Sequence, residues 1–190
     1  MYQLSLAAEP AAFEREAGLV VRPLEPTDRE ALLDGFERLS PTSRYMRFAG
    51  PKPRLTAADL RSLLDIDHRD REALVAYERG SRRPVAVARY VRLALEPSVA
   101  DVAITVVDAW QGRGVGARLL RLLARRAAEE GVALLRADVL RENRRALRLL
   151  RRAGFAVVGW DGAMVTLERA VPMRPGARER APGQRTAVAC

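Results

Sequence analysis

From Ile104 to Leu123 the sequence reads I-T-V-V-D-A-W-Q-G-R-G-V-G-A-R-L-L-R-L-L. An apolar, β-branched run (Ile104, Val106, Val107) stops at Asp108, and Gly112, Gly114 and Gly116 follow in close order. After them comes a long amphipathic pattern with Val115, Leu119, Leu122, Leu123 and Ala127 on one helical stripe. A strand that feeds a glycine-rich turn at a helix N-terminus is a device for holding phosphate. Glycine lets the backbone approach closely, and the first-turn amides and the helix dipole face the anion.

Three phosphate chemistries use such a turn. A Walker-type loop needs a lysine and a hydroxyl after its last glycine, and Ala117-Arg118 stand there instead, which excludes it. The dinucleotide fingerprint is met by Gly112-x-Gly114-x-x-Ala117, with Asp138 roughly 20 residues on as a candidate for a ribose hydroxyl. Its surroundings argue against it. The preceding strand alternates, where a central parallel strand would be continuously apolar, and too little chain follows for a doubly wound sheet. The third chemistry is acyl-coenzyme A, whose pattern Q/R-x-x-G-x-G/A is matched by Gln111-Gly112-Arg113-Gly114-Val115-Gly116-Ala117.

That span resembles the signature of the GNAT superfamily of N-acetyltransferases. Downstream, Asn143-x-x-Ala146 followed by Gly154-Phe155 resembles the superfamily's second cofactor motif. The resemblance covers about residues 19–169. A nearer likeness lies in Ser43-Arg44-Tyr45-x-Arg47-Phe48, in Pro51 to Leu55, and in Ala73-Leu74-Val75-Ala76. These segments are similar to the acetyltransferase domain of bacterial Pat-type protein lysine acetyltransferases, which commonly accompanies a regulatory or synthetase-like domain.

The resemblance implies roles. Backbone amides from Gly112 to Ala117 would bind the pyrophosphate of acetyl-CoA, with Arg113 adding charge at the rim. The strand end at Val106 and Val107 would pair with the pantetheine arm as an added strand, and Asn143 would contact that arm. Arg118 or Arg148 would approach the adenosine phosphates or stay solvated. Direct transfer to an amine needs a base to take a proton. In the Pat pattern a glutamate occupies the place where this chain has Asp101, one methylene shorter; a surface aspartate opening a strand is the competing reading. Many GNAT enzymes place a tyrosine four residues before Gly-Phe, and Leu150 stands there. Solvent, Tyr45 or Tyr90 would then protonate the departing thiolate. Arg44, Tyr45 and Arg47 fall in the segment that lines the acceptor side in this superfamily, where packing on the sheet is the alternative for Tyr45 and Phe48.

Composition narrows the partners. The 190 residues carry a net charge of +9, almost all of it from arginine, with Lys52 the lone lysine. The arginines interleave with Ala, Leu and Glu on helix faces, as solvated faces do. Aromatic residues make up 5%, too few for a platform that stacks single-stranded nucleic acid. Cys190 is the only cysteine and His68 the only histidine, so neither a disulfide framework nor a metal site is expected. No run reaches membrane-spanning length and no signal peptide is visible, so a cytoplasmic protein is expected.

The elements that must position these residues read β-α-α-β-β-β-α-β-α-β-β. The expected fold class is α/β (α+β): a mixed, mostly antiparallel sheet with a parallel pair at the CoA-binding strand, flanked by about four helices. Thr27 with Glu30 predicts one helix cap, Thr56 another, and Ser40-Pro41 a stop. Residues 1–18 form an N-terminal arm, 19–170 the domain, and 171–190 a disordered basic tail. The function expected is acetyl transfer from acetyl-CoA to a primary amine, with protein lysine favoured. A small-molecule amine acetyltransferase and a non-catalytic acyl-CoA-binding sensor are the alternatives.

Overall fold

A computed structural model describes residues 18–81 and 83–172. The expected arm and tail lie outside these residues except at their inner ends, where Val171 is buried and its amide donates to Ala133 O. The chain forms β1 (Leu19–Pro23), three helices α1 (Arg29–Glu37), α2 (Pro41–Phe48) and α3 (Ala57–Leu64), then β2 (Arg71–Glu78), β3 (Pro84–Arg92) and β4 (Val99–Val106). A 3-10 turn (Asp108–Trp110) leads to α4 (Val115–Glu129), β5 (Leu134–Leu140), α5 (Arg144–Arg152), β6 (Ala156–Asp161) and β7 (Met164–Ala170).

The seven strands make one sheet in the order β1-β2-β3-β4-β5-β7-β6. Only β4 and β5 run parallel, and they pair over just Val99↔Leu134, Ala100↔Leu135 and Asp101↔Arg136. Past Asp101 the two strands part. Beyond that point β4 is paired on its β3 side alone, through Tyr90↔Val102 to Ala86↔Val106. The α4 crossover joins them, as a parallel pair requires. A single parallel pair cannot make a doubly wound sheet, which disposes of the dinucleotide reading. Asp138, its would-be ribose ligand, accepts from Thr166 Oγ1 at 2.6 Å across the antiparallel β5–β7 ladder.

The main core lies between the sheet and α4. The apolar stripe of that helix, including Leu119, Leu120, Leu123 and Ala127, is fully buried against Tyr90, Ala88 and Ala100. A second cluster (Leu24, Leu32, Leu60, Val75, Tyr77) seats α1 and α3 on the opposite face. The hairpin β2–β3 and the Thr56 capping box form as the sequence predicts. Two local expectations change. Asp28, not Thr27, is the residue that precedes α1, and it gives the helix no side-chain cap because its carboxylate is taken by Arg22 and by the Glu25 amide. The Ser40-Pro41 stop is at once a start: Ser40 accepts from the Ser43 amide and Pro41 sits at N1, so α2 forms where no helix was expected.

A carboxylate is sealed into the core. Glu72 is 1% exposed; its carboxylate meets His68 Nδ1 and the Ala73 amide at 2.9 Å each, and Arg126 Nε at 3.1 Å. This ties the start of β2 to the far end of α4. Breaking a buried ion pair from one side leaves a desolvated charge behind. Glu72→Ala is expected to cost about 3 kcal/mol or more in denaturant unfolding, the low end of such losses. A change below about 0.5 kcal/mol, the scale of ordinary surface substitutions, would show that the cluster carries no stability.

Candidate active site

The glycines of the turn divide their work. Gly112 and Gly114 both have φ of 78°, the left-handed region that L-residues avoid. Gly116 has ordinary helical geometry and is needed for room: a Cβ there would stand 3.0 Å from Leu149 Cδ2 and 3.4 Å from Ile104 Cδ1. That contact holds the start of α4 against β4 and α5. Gly114 is the N-cap of α4 and has no side chain to offer, so no side chain caps the helix and no acidic residue occupies its first turn. The first-turn amides of Val115, Gly116 and Ala117 are therefore left without a capping side chain. Arg113 is exposed and lies over the Trp110 ring at 5.0 Å, which holds its charge at the rim. Arg118, by contrast, is buried and is no solvated rim residue.

Alternation along β4 decides which of its groups are free. Val107 N–H donates to Val85 O, and Val107 O accepts from the Trp110 amide, so both its backbone groups are committed. Val107 therefore cannot pair with an added strand as expected. In an antiparallel ladder, alternate residues face opposite neighbours. Val102, Ile104 and Val106 thus turn their peptide groups toward the gap where β5 has parted. There Gln111 Nε2 donates to Val106 O at 3.0 Å, and Gln111 Oε1 accepts from Arg145 at 2.6 Å. The Asn143 side chain caps α5 by accepting from the Ala146 amide at 3.1 Å.

A polar clamp fixes this region to α2. Asp108 accepts from the Ser40 amide (3.0 Å), Ser40 Oγ (2.9 Å) and Ser43 Oγ (2.8 Å). Burial acts to raise its carboxyl, but these donors outweigh it and hold the group below the usual carboxylate range. Sequence reasoning treated Asp108 only as a strand stop. Its partners lie more than sixty residues away (a separation of 68 to Ser40), beyond any local signal.

On the other face of β4, Asp101, Ala103 and Thr105 look toward α2. A cleft of about 340 Å³ is lined there by Arg47, Phe48, Asp59, Arg89, Asp101 and Ala103. The Asp101 side chain is exposed at its mouth, where β4 and β5 separate. Partial burial, Asp138 and Glu96 push its carboxyl above the ordinary aspartate range, against the pull of Arg136. Of the α2 residues singled out by sequence, Tyr45 is 39% exposed and does not line the cleft. Arg44 donates to Pro53 O and Glu37 O and lies 4.4 Å over Phe36, which makes it a strut between helices. Arg47 is the residue that reaches the cleft, donating to Thr105 Oγ1 at 3.1 Å. Leu150 is buried in the core, and Tyr90 is fully buried with its hydroxyl donating to Arg69 O, so neither offers a proton to the gap.

The profile of the acetyltransferase (GNAT) family matches residues 36–155, well over half of the chain. The chain belongs to the GNAT acetyltransferase family. Among GNAT relatives, the acetyltransferase Pat of Mycolicibacterium smegmatis is 34% identical over 152 residues, covering 80% of this chain and 45% of its own. A Pseudomonas aeruginosa acetyltransferase is 36% identical over 115 residues, 60% of this chain and 61% of that one. This chain thus spans less than two thirds of either curated relative. The solved GNAT domain of S. lividans PAT superposes with a TM-score of 0.75 at 34% identity, over 79% of this chain and 89% of that domain. The GNAT family uses acetyl-CoA as donor, and the parted strands, uncapped helix and left-handed glycines fit such a molecule.

Proposed function

We propose that this domain transfers an acetyl group from acetyl-CoA to the ε-amine of a protein lysine. The observation that carries the reading is the parting of β4 and β5 beside Asp101, with the uncapped N-terminus of α4 at the head of the gap. The likeness to Pat-named proteins supports lysine as acceptor. Bound acetyl-CoA supplies a thioester carbonyl open to attack by an amine.

The amides of Gly112 to Ala117 hold the pyrophosphate, Arg113 adds charge beside it, and Gln111 releases or shares Val106 O with the pantetheine amide. The Asn143 amide nitrogen, its oxygen being spent on the cap, faces the same arm. Asp101 takes the amine proton through water, since its side chain is one methylene shorter than a glutamate. The raised carboxyl makes it a better base near neutrality than an ordinary aspartate. The new bond joins amine nitrogen to acetyl carbon as the carbon–sulfur bond breaks, and the departing sulfur takes its proton from solvent. The test is incubation with acetyl-CoA and, separately, lysine-bearing proteins and small amines, following thiol release and acetylated product. Tight CoA binding without thiol release on any acceptor would leave a sensor, not an enzyme.

A further inference from the structure

The acceptor cleft has a charge pattern that the transfer reaction does not need. Arg47 and Arg89 both line it, on α2 and β3 respectively, and both also line the narrower apolar recess of about 70 Å³ continuous with it. Among the described residues neither forms an ion pair. Arg47 bonds to the neutral Thr105 hydroxyl, and Arg89 donates to the Ser62 carbonyl. Burial, with Arg89 as a like-charged neighbour, brings the Arg47 guanidinium down to about 10. Burial likewise lowers Arg89, with Arg71 adding to the effect and Asp65 opposing it. Of the two carboxylates lining the cleft, Asp59 is held by Lys52 at 2.6 Å and by the Thr56 cap, and Asp101 sits at the mouth. The walls between are apolar: Phe48, Leu63, Val91 and Ala103.

Two crowded cations in a partly dry cleft are costly unless an anion joins them. Planar guanidinium groups select carboxylates by paired hydrogen bonds. We infer that the acceptor amine carries a carboxylate close to it, which binds Arg47 and Arg89 while the amine lies toward Asp101. This rests on the acetyl-transfer reading above and narrows its acceptor. On a protein the carboxylate is an acidic side chain flanking the lysine; on a small molecule it is the acid group of an amino acid.

Steady-state rates on matched acceptors test the inference. Peptides with a single lysine flanked by Glu, Gln or Lys are compared, alongside amino acids and their carboxamides. The expected result is a roughly tenfold or larger advantage in kcat/KM for the carboxylate member, carried by KM, from a charge-assisted hydrogen bond. Arg47→Gln should erase the advantage, and Arg47→Lys should retain part of it with weaker discrimination. Should Arg47→Gln fail to fold, raising salt on the unaltered domain should shrink the advantage. Equal kcat/KM within every pair would overturn the inference while leaving lysine transfer standing. Carboxylate-selective turnover of amino acids with no peptide acetylation would remove protein lysine and keep the inference.

Discussion

Gly114→Asp is expected to weaken acetyl-CoA binding severely in a domain that still folds. Gly114 adopts φ 78° and ψ −5° at the N-cap of α4, and a Cβ built there meets nothing within 4 Å. The penalty in the folded state is therefore conformational, about 1–2 kcal/mol, and Asp is among the L-residues that enter the left-handed region most readily. The carboxylate would also stand at the positive end of the helix, which is favourable to the fold. The same carboxylate would fill the place of a pyrophosphate oxygen and repel the rest. Loss of charge-assisted bonds and added repulsion should weaken binding by about 3 kcal/mol or more, roughly two orders of magnitude in Kd. Calorimetry with CoA on Gly114→Asp and on Gly114→Ala separates charge from backbone strain. An unchanged Kd in Gly114→Asp would mean the pyrophosphate lies elsewhere.

Asp101→Asn should leave CoA affinity intact and reduce turnover by about a hundredfold near neutral pH, the lower range for losing a general base. The pH dependence distinguishes this role from a structural one. Asp101 accepts a proton only when ionised, and its raised carboxyl places the acid limb of kcat/KM above the range of an ordinary aspartate. Below that limb the parent loses its advantage over the variant. Far above it, as pH approaches the free lysine value of about 10.4, the amine sheds its own proton and the two again converge. The gap between them should thus be widest in the middle of the range. Parallel profiles at a constant ratio would remove Asp101 from proton transfer and leave Asp101 a positioning role.

The glycine cradle was legible in the sequence because its causes are local. Left-handed turns at Gly112 and Gly114, and a helix beginning after them, depend on neighbours within a few residues. Gly116 looks the same in sequence yet serves another end, since the side chains that crowd it come from β4 and α5. The missed helix α2 was readable in principle: Ser40 and Pro41 are as good a start as a stop, since a capping serine followed by proline at N1 is itself a helix-start signal. Assigning the end of β4 required parity. Val106 and Val107 are equally apolar, but only the register against β3 shows that Val107 is spent on Val85 while Val106 faces the gap.

By itself the sequence determined the order of the strands and of every helix but α2, the glycine turn and the family it resembles, all of which follow from spacing along the chain. The tertiary structure alone decided which cations line the cleft beside Asp101. Arg44 and Arg47 are neighbours in one polar stretch, and a helical turn sends the first outward to Glu37 and Pro53 and the second inward to Thr105. Arg89, from a strand more than forty residues away, lines the same cleft as Arg47 because the sheet places β3 beside β4. Pairing over such separations is set by packing, and no local pattern of residue types carries it.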